Sequence, residues 1–426
     1  MESDRRETLN RSRKNWLPLL VVMAVGFVVI AAIAVISVRN SSRNAALKFA
    51  APANATPVNF ANQDVDPGTS AGDTPAPNFQ LRDQLGRKTS LAQFRGKVVL
   101  IAFVDSQCTT ICPLTTESMV EALRLLGPAA ADVQLLGINA NPLALKVSDV
   151  ASYTRAHQMQ GRWRFLTGSL PQLKQVWREY HVYVSAINND IDHQPAMVLI
   201  DTLGRESKVY MTQMSYEGVA PQAQLLADDI AKLLPGLPTA AQEVPLKYVP
   251  PLQPSDVVKL TPTGAHKEDV VLGGLHAHLL LFFAGWLDQN SALATRLGDL
   301  DRYRVTALRK GWPSPVAVDE LTTESFAPNA SKRLAQLSAK IRTPLVEDSN
   351  GRLGDGYQVE DLPWYSLTSP AGKIIWSHDG WLSLAALERQ VHAALAKSEP
   401  GERSALLMRP RSSTATGARA NVSASN

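Results

Sequence analysis

An α/β protein carried on a single N-terminal membrane helix is what this sequence predicts, and three observations predict it. The run WLPLLVVMAVGFVVIAAIAVISV, residues 16–38, holds no charged residue. Beyond residue 76, short apolar runs of strand length alternate with segments of helical spacing. Two breaks poor in apolar periodicity, 39–75 and 236–262, part the chain into an anchor and two folding units. A chain of 426 residues is long enough for both, being two to three times the usual single-domain size.

Composition excludes several classes. With 45% hydrophobic and 19% charged residues the chain has material for real cores, so it is neither disordered, collagenous nor coiled coil. The formal charge of +4 is carried by the ends: residues 1–15 hold +2 and residues 397–426 hold +3, which leaves −1 for everything between. A near-neutral middle has no electrostatic footprint for nucleic acid. Two cysteines cannot staple a scaffold, and act as a redox pair or as metal ligands if they act at all.

Taken in order, Arg5, Arg6, Arg11, Arg13 and Lys14 precede the apolar run, and only Arg39, Arg43 and Lys48 follow closely. The positive-inside bias keeps residues 1–15 in the cytoplasm. The run at 16–38 is too long for a cleaved signal and suits an uncleaved single-pass anchor. The folded part is then expected outside the inner membrane, in the periplasm or its equivalent. Residues 39–75, rich in Ala, Asn, Pro, Ser and Gly, read as a flexible stalk.

The first folding unit spans 76–235. VVLIAFV (98–104), VQLLGIN (133–139) and AMVLID (196–201) are near-continuous apolar runs that suit strands covered on both faces, which predicts a mostly parallel sheet. Residues 114–127 and 170–180 have helical spacing. Seven prolines between 235 and 262 mark a boundary that neither a long helix nor a sheet interior accepts, a linker that holds two domains at a semi-rigid distance. A second unit covers 263–396, and the tail from 397 to 426 reads as disordered.

The only two cysteines, Cys108 and Cys112, lie in DSQCTTICP between a strand and a helix opening near Pro113. A helix N-terminus offers unpaired N–H groups and a positive dipole end, which favour thiolate over thiol. The alternative is a pair of inert buried thiols. Three residues separate the cysteines, so on a regular helix their β-carbons stand ~5–6 Å apart, far for an unstrained disulfide and apt for two thiolates gripping one soft ion. With only two thiolates, an iron–sulfur cluster or a four-thiolate zinc site is excluded, and imidazole is the natural third donor. Among the histidines, His193 in NNDIDHQPAMVLID precedes an apolar strand in a loop able to reach the strand-to-helix turn. His276 and His278 are spaced to share a strand face, where a solvent-facing pair is the simpler reading.

Residues 77–235 resemble the SCO/SenC family of membrane-anchored copper proteins. The segments are PNFQLRDQLGRKTSLAQFRGKVVLIAFVDSQCTTICPLTT, RWRFLTGSLPQLKQVWREYHVYV and DHQPAMVLIDTLGR, in family order. The resemblance implies a thioredoxin fold, copper as Cu(I) or Cu(II) on Cys108, Cys112 and His193, and a partner in a cytochrome c oxidase subunit that carries a copper centre. A copper donor or thiol reductant is implied as a further partner. The same frame serves the rival reading, a thiol:disulfide oxidoreductase in which Cys108 and Cys112 are the redox pair. Val104, Asp105, Ser106 and Gln107 depart from the family's aromatic and histidine before the first cysteine, and NANP (139–142) stands where an Asp-Pro is common.

In the second unit, LLLFFAGWLDQN (279–290) resembles a thioredoxin strand and turn with Leu287 and Asn290 at the cysteine positions after Trp286. YQVEDLPWYSLTSPAGKIIWSHDGW resembles the closing half of that fold, where a proline, here Pro363, is usually cis. The expected whole is an N-terminal transmembrane helix followed by two tandem thioredoxin-like domains, the second degenerate and used for docking or for shielding the metal. The uncharged stretch 270–287 could instead cross a membrane, but its glycines, its histidines and the charged helical sequence after it favour a buried strand. GRLGDG (351–356) lacks the Lys and Ser/Thr of a phosphate loop and reads as a glycine turn.

Overall fold

The computed structural model describes residues 65–188, 190–242, 251–263, 268–273, 277–287, 292–324 and 330–398. The expected membrane span at 16–38, the segment 1–15 expected in the cytoplasm, most of the expected stalk and tail, and His266, His276 and Asn290 lie outside the described residues. Among the described residues no helix is long and apolar enough to cross a membrane.

The first sheet has six strands in the order Thr69–Pro75, Arg205–Met211, Ala196–Ile200, Val98–Val104, Val133–Asn139 and Trp163–Leu166. The last three run parallel and the other pairings are antiparallel. The sheet is therefore mixed, where the apolar runs alone predicted a mostly parallel one. For the Ala196–Ile200 and Arg205–Met211 pair the cause is local: Asp201 Oδ1 accepts the N–H groups of Leu203 and Arg205, which closes a tight turn, and a turn this short returns the chain antiparallel. Thr69–Pro75, read from composition as the end of a stalk, forms the edge strand, because its backbone finds partners on Arg205–Met211.

Along the central strand the side chains alternate between two cores. Val98, Leu100, Ala102 and Val104 meet the helices Ile111–Leu126 and Val219–Ala231. Val99, Ile101 and Phe103 meet the Leu170–Glu179 helix. Burial on both faces explains the unbroken apolar run.

The second sheet has five strands in the order Leu345–Glu347, Ser314–Asp319, His278–Phe283, Trp364–Thr368 and Ile374–Asp379. Its polarities repeat the first sheet: two parallel pairs on one side of the central strand, two antiparallel pairs on the other. The uncharged stretch within 270–287 is strand and turn, and the Leu362–Pro363 peptide is cis, as the second-domain reading expects. Leu279, Leu281 and Phe283 pack on the helices Ala292–Lys310 and Leu384–Lys397, while Leu280 and Phe282 point the other way.

That other face is shared. Leu114, Tyr216 and Val219 of the first domain join Leu280, Phe282 and Trp286 of the second in one buried cluster. Each such side chain contributes roughly 1.5–3 kcal/mol through its burial. The domains are thus in direct contact, where the Pro-rich segment alone suggested spacing. Within that segment Val258–Leu260 pairs with Val270–Leu272. GRLGDG acquires a role here. A β-carbon on Gly351 would lie 2.4 Å from Tyr216 Cβ, and one on Gly354 would lie 2.5 Å from Glu320 Oε2. Only glycine lets these backbones close, and between them Asp355 accepts bonds from Ser215 Oγ and the N–H groups of Tyr216 and Glu217.

Candidate metal centre

The central strand of the first domain delivers Asp105 to Cys112 at its C-terminal end, the end at which open α/β sheets place ligands. Asp105 is buried and organises the turn. Its Oδ1 accepts from Gln107 N at 2.8 Å and Asn141 Nδ2 at 2.7 Å, and its carbonyl accepts from Cys108 N at 3.2 Å. The helix that follows begins at Ile111, and its N-cap residue, Thr110, makes no side-chain capping bond. Cys108 takes that place: its Sγ accepts the Cys112 N–H at 3.4 Å and lies 3.1 Å from Thr110 Oγ1. An acceptor there satisfies one of the orphan donors of the first turn.

The two thiols are driven apart in acidity. The bond from Cys112 holds Cys108 below the usual thiol range, with Thr110 and the backbone helping and burial opposing. Burial pushes Cys112 well above it, and the charges of Cys108 and Asp105 add to the effect. The arrangement is one more acidic thiol, Cys108, beside one buried, less acidic thiol, Cys112.

His193 ends a hairpin formed by Val184–Ile187 and Asp190–His193, just before the Ala196–Ile200 strand that pairs with the central one. Its Nε2 lies 3.9 Å from Cys112 Sγ, and its Nδ1 lies 3.0 Å from the Gln194 carbonyl. A carbonyl only accepts, so Nδ1 carries the proton and the Nε2 lone pair faces the sulfur. Burial holds His193 below its ordinary value, against the Gln194 carbonyl and the charges of Asp105 and Asp192. A neutral imidazole of fixed tautomer is the form that ligates metal.

Cys112 thus contacts both other candidate donors. Cys108 is turned to Thr110 and the helix end, and among the described residues no three His, Cys, Asp or Glu side chains stand in metal-holding geometry. The donor chemistry, two sulfurs and one neutral imidazole, fits a soft ion such as Cu(I). The other described candidates serve elsewhere: His278 bonds the Val271 carbonyl, and His378 stacks on Trp376 at 6.0 Å. Leu287 packs against the second domain's cores.

Residues that sequence reading passed over close the surroundings. Tyr153 is buried beside the cysteines, whose charges raise its pKa further after burial has done most of that. Its ring lies 4.1 Å from His157, and His157 lies 4.7 Å from Trp286 of the second domain. Thr109, between the cysteines, neighbours Asp361, two residues before Pro363, and offsets part of the upward push that burial gives its carboxyl. Asp105 stood in the motif itself, but nothing in the sequence linked Asp361 or Trp286 to it.

Comparison with known proteins finds relatives of part of the chain. The SCO1/SenC family model matches residues 68–228. The mitochondrial SCO2 homolog of Bos taurus is 35% identical over 150 residues, 33% of this chain and 56% of that protein. The Homo sapiens SCO2 homolog is 32% identical over 151 residues, covering 34% and 56% respectively. The chain thus spans about half the length of these curated relatives. Among solved structures, Bradyrhizobium japonicum ScoI with copper bound is 23% identical, with 38% of this chain and 100% of that one covered at a TM-score of 0.33. Yeast Sco1 is 24% identical, covering 32% and 86% at a TM-score of 0.29. Residues 68–228, a thioredoxin-like sheet that a second α/β domain follows, are the part of the chain that matches the SCO1/SenC family.

Proposed function

We propose that this protein binds one copper ion as cargo through Cys108, Cys112 and His193 and passes it to a copper centre of a cytochrome c oxidase subunit. The segment at 16–38 would anchor it in the inner membrane with both domains in the periplasm. The observation that carries the reading is the Nε2 lone pair of His193 aimed at Cys112 Sγ from 3.9 Å, its tautomer held by Gln194. Thiolates supply the affinity for Cu(I), and imidazole allows Cu(II) to be held as well. On binding, Cys108 exchanges its Thr110 bond for the metal and Cys112 gives up its proton.

The second reading is a thiol:disulfide oxidoreductase, favoured by the split in acidity between Cys108, held low, and Cys112, pushed up. Copper titration of the full chain and of its His193→Ala variant separates the two. One copper per wild-type chain, lost or weakened at least about tenfold in the variant while disulfide exchange survives, supports the copper reading. No stoichiometric copper in the wild type, with rapid exchange in both proteins, overturns it.

A further inference from the structure

The two domains repeat one topology, and each ends its central strand in the turn that bears the chemistry of such sheets: Asp105 to Cys112 in the first, Ala284 to Leu287 in the second. These ends meet. Thr109, inside the cysteine loop, neighbours Asp361, and the Trp286 ring of the second domain's turn lies 4.7 Å from the His157 ring. Leu114, in the first turn of the cysteine helix, is buried in the cluster that holds Trp286 and Leu362. The contact is clamped from a distance by Asp355, through its three bonds to residues 215–217.

We propose that the second domain is a redox-inert guard seated on the cysteine loop, which decides what reaches Cys108 and Cys112: a small thiol reagent or a metal ion enters, and a folded protein disulfide does not. The residue after Trp286 is Leu287, which has no thiol, so the guard forms no mixed disulfide with the pair it covers. The His193 hairpin leaves Tyr183 and Ile187 exposed, and that side is the one by which, on this proposal, small reagents enter. The guard thereby steers the centre away from disulfide exchange with proteins and toward metal transfer. The inference rests on the cysteine pair being the functional centre, and it is read through thiol chemistry in copper-free protein, so it fails separately from the copper reading.

The reaction used is balanced by a named oxidant. The Cys108 thiolate attacks one sulfur of the oxidant's disulfide, that S–S bond breaks, and one thiolate leaves. Cys112 then attacks the Cys108 sulfur, releasing the second. Two electrons pass from the protein dithiol to the oxidant, and the two thiol protons end on the released thiols.

The test compares two oxidants, glutathione disulfide and an oxidised thioredoxin, on the reduced, copper-free full chain. Wild type is expected to react with glutathione disulfide and to be at least about tenfold slower with the protein disulfide than an Asp355→Ala/Asp361→Ala variant, the scale of losing charged hydrogen bonds. The glutathione rate should change less than about twofold in the variant. A rise in both rates together would mean simple loosening of the loop and overturns the guard, as does no change in a folded variant. Should the variant fail to fold, the wild type decides alone: equal access for both oxidants sinks the idea, and exclusion of the protein disulfide sustains it.

Discussion

His193 Nε2 faces Cys112 Sγ at 3.9 Å across 81 residues of sequence, while Cys112 N–H points to the sulfur of Cys108. Cys112 is therefore the hinge of the centre, buried and protonated, with a more acidic thiol on one side and a neutral imidazole on the other.

That asymmetry predicts which thiol reacts. In the reduced, metal-free protein at neutral pH, iodoacetamide should alkylate Cys108 and leave Cys112 unmodified until the chain unfolds, because Cys108 is the more acidic and Cys112 is 1% exposed. Peptide mapping by mass spectrometry reads this directly. Label on Cys112 first, or on both at equal rates, would contradict the geometry.

Cys108 also caps a helix, so its substitutions should separate stability from binding. Cys108→Ala removes the acceptor for the Cys112 N–H and should cost about 1 kcal/mol. Cys108→Ser keeps an acceptor, so its stability should fall by less than about 0.5 kcal/mol while copper binding fails. Urea denaturation and copper titration on the same two variants check both halves.

His157 sets a pH dependence of stability. Burial holds it neutral, with its pKa lowered from 6.5 to about 3. Between those pH values the unfolded chain binds the proton and the folded chain does not, so this contribution is lost as pH falls. At pH 5 the loss should be about 2 kcal/mol relative to pH 7, following from the shift to about 3. His157→Phe keeps a ring between Tyr153 and Trp286 and has no proton to take up. Denaturation midpoints at the two pH values should converge for the variant relative to wild type, and an unchanged difference would refute the assignment.

A shared core predicts one unfolding event. Because Leu114, Tyr216 and Trp286 belong to one buried cluster, calorimetry of the full chain should show a single transition for residues of both domains. Trp286→Ala should lower that transition as a whole, by about 3–5 kcal/mol in stability. Two separate transitions, only one of them moved by the substitution, would show that the domains fold independently.

Much of the architecture was legible because it is written in short-range patterns. The run VVLIAFV is continuous because its strand is covered on both faces, and LLLFF repeats that signature in the second sheet. The Cys108–Cys112 spacing after such a strand marked the centre, and the loop before AMVLI marked His193. What misled was locality itself: residues 69–75 have stalk-like composition, and their strand exists only because Arg205–Met211 lies beside them.

The sequence by itself determined the anchor signal, the order of strands and helices, and the donor types at 108, 112 and 193, since each depends on neighbours along the chain. Tertiary structure alone decided the rest. Asp361 meets Thr109, Gly351 makes room for Tyr216, and His157 lies between Tyr153 and Trp286, because one sheet topology occurs twice and the two copies bury a common face. Burial of that face, and the protonation states it imposes on Cys112 and His157, comes from residues far away in sequence, and no local pattern of charge or hydrophobicity encodes it.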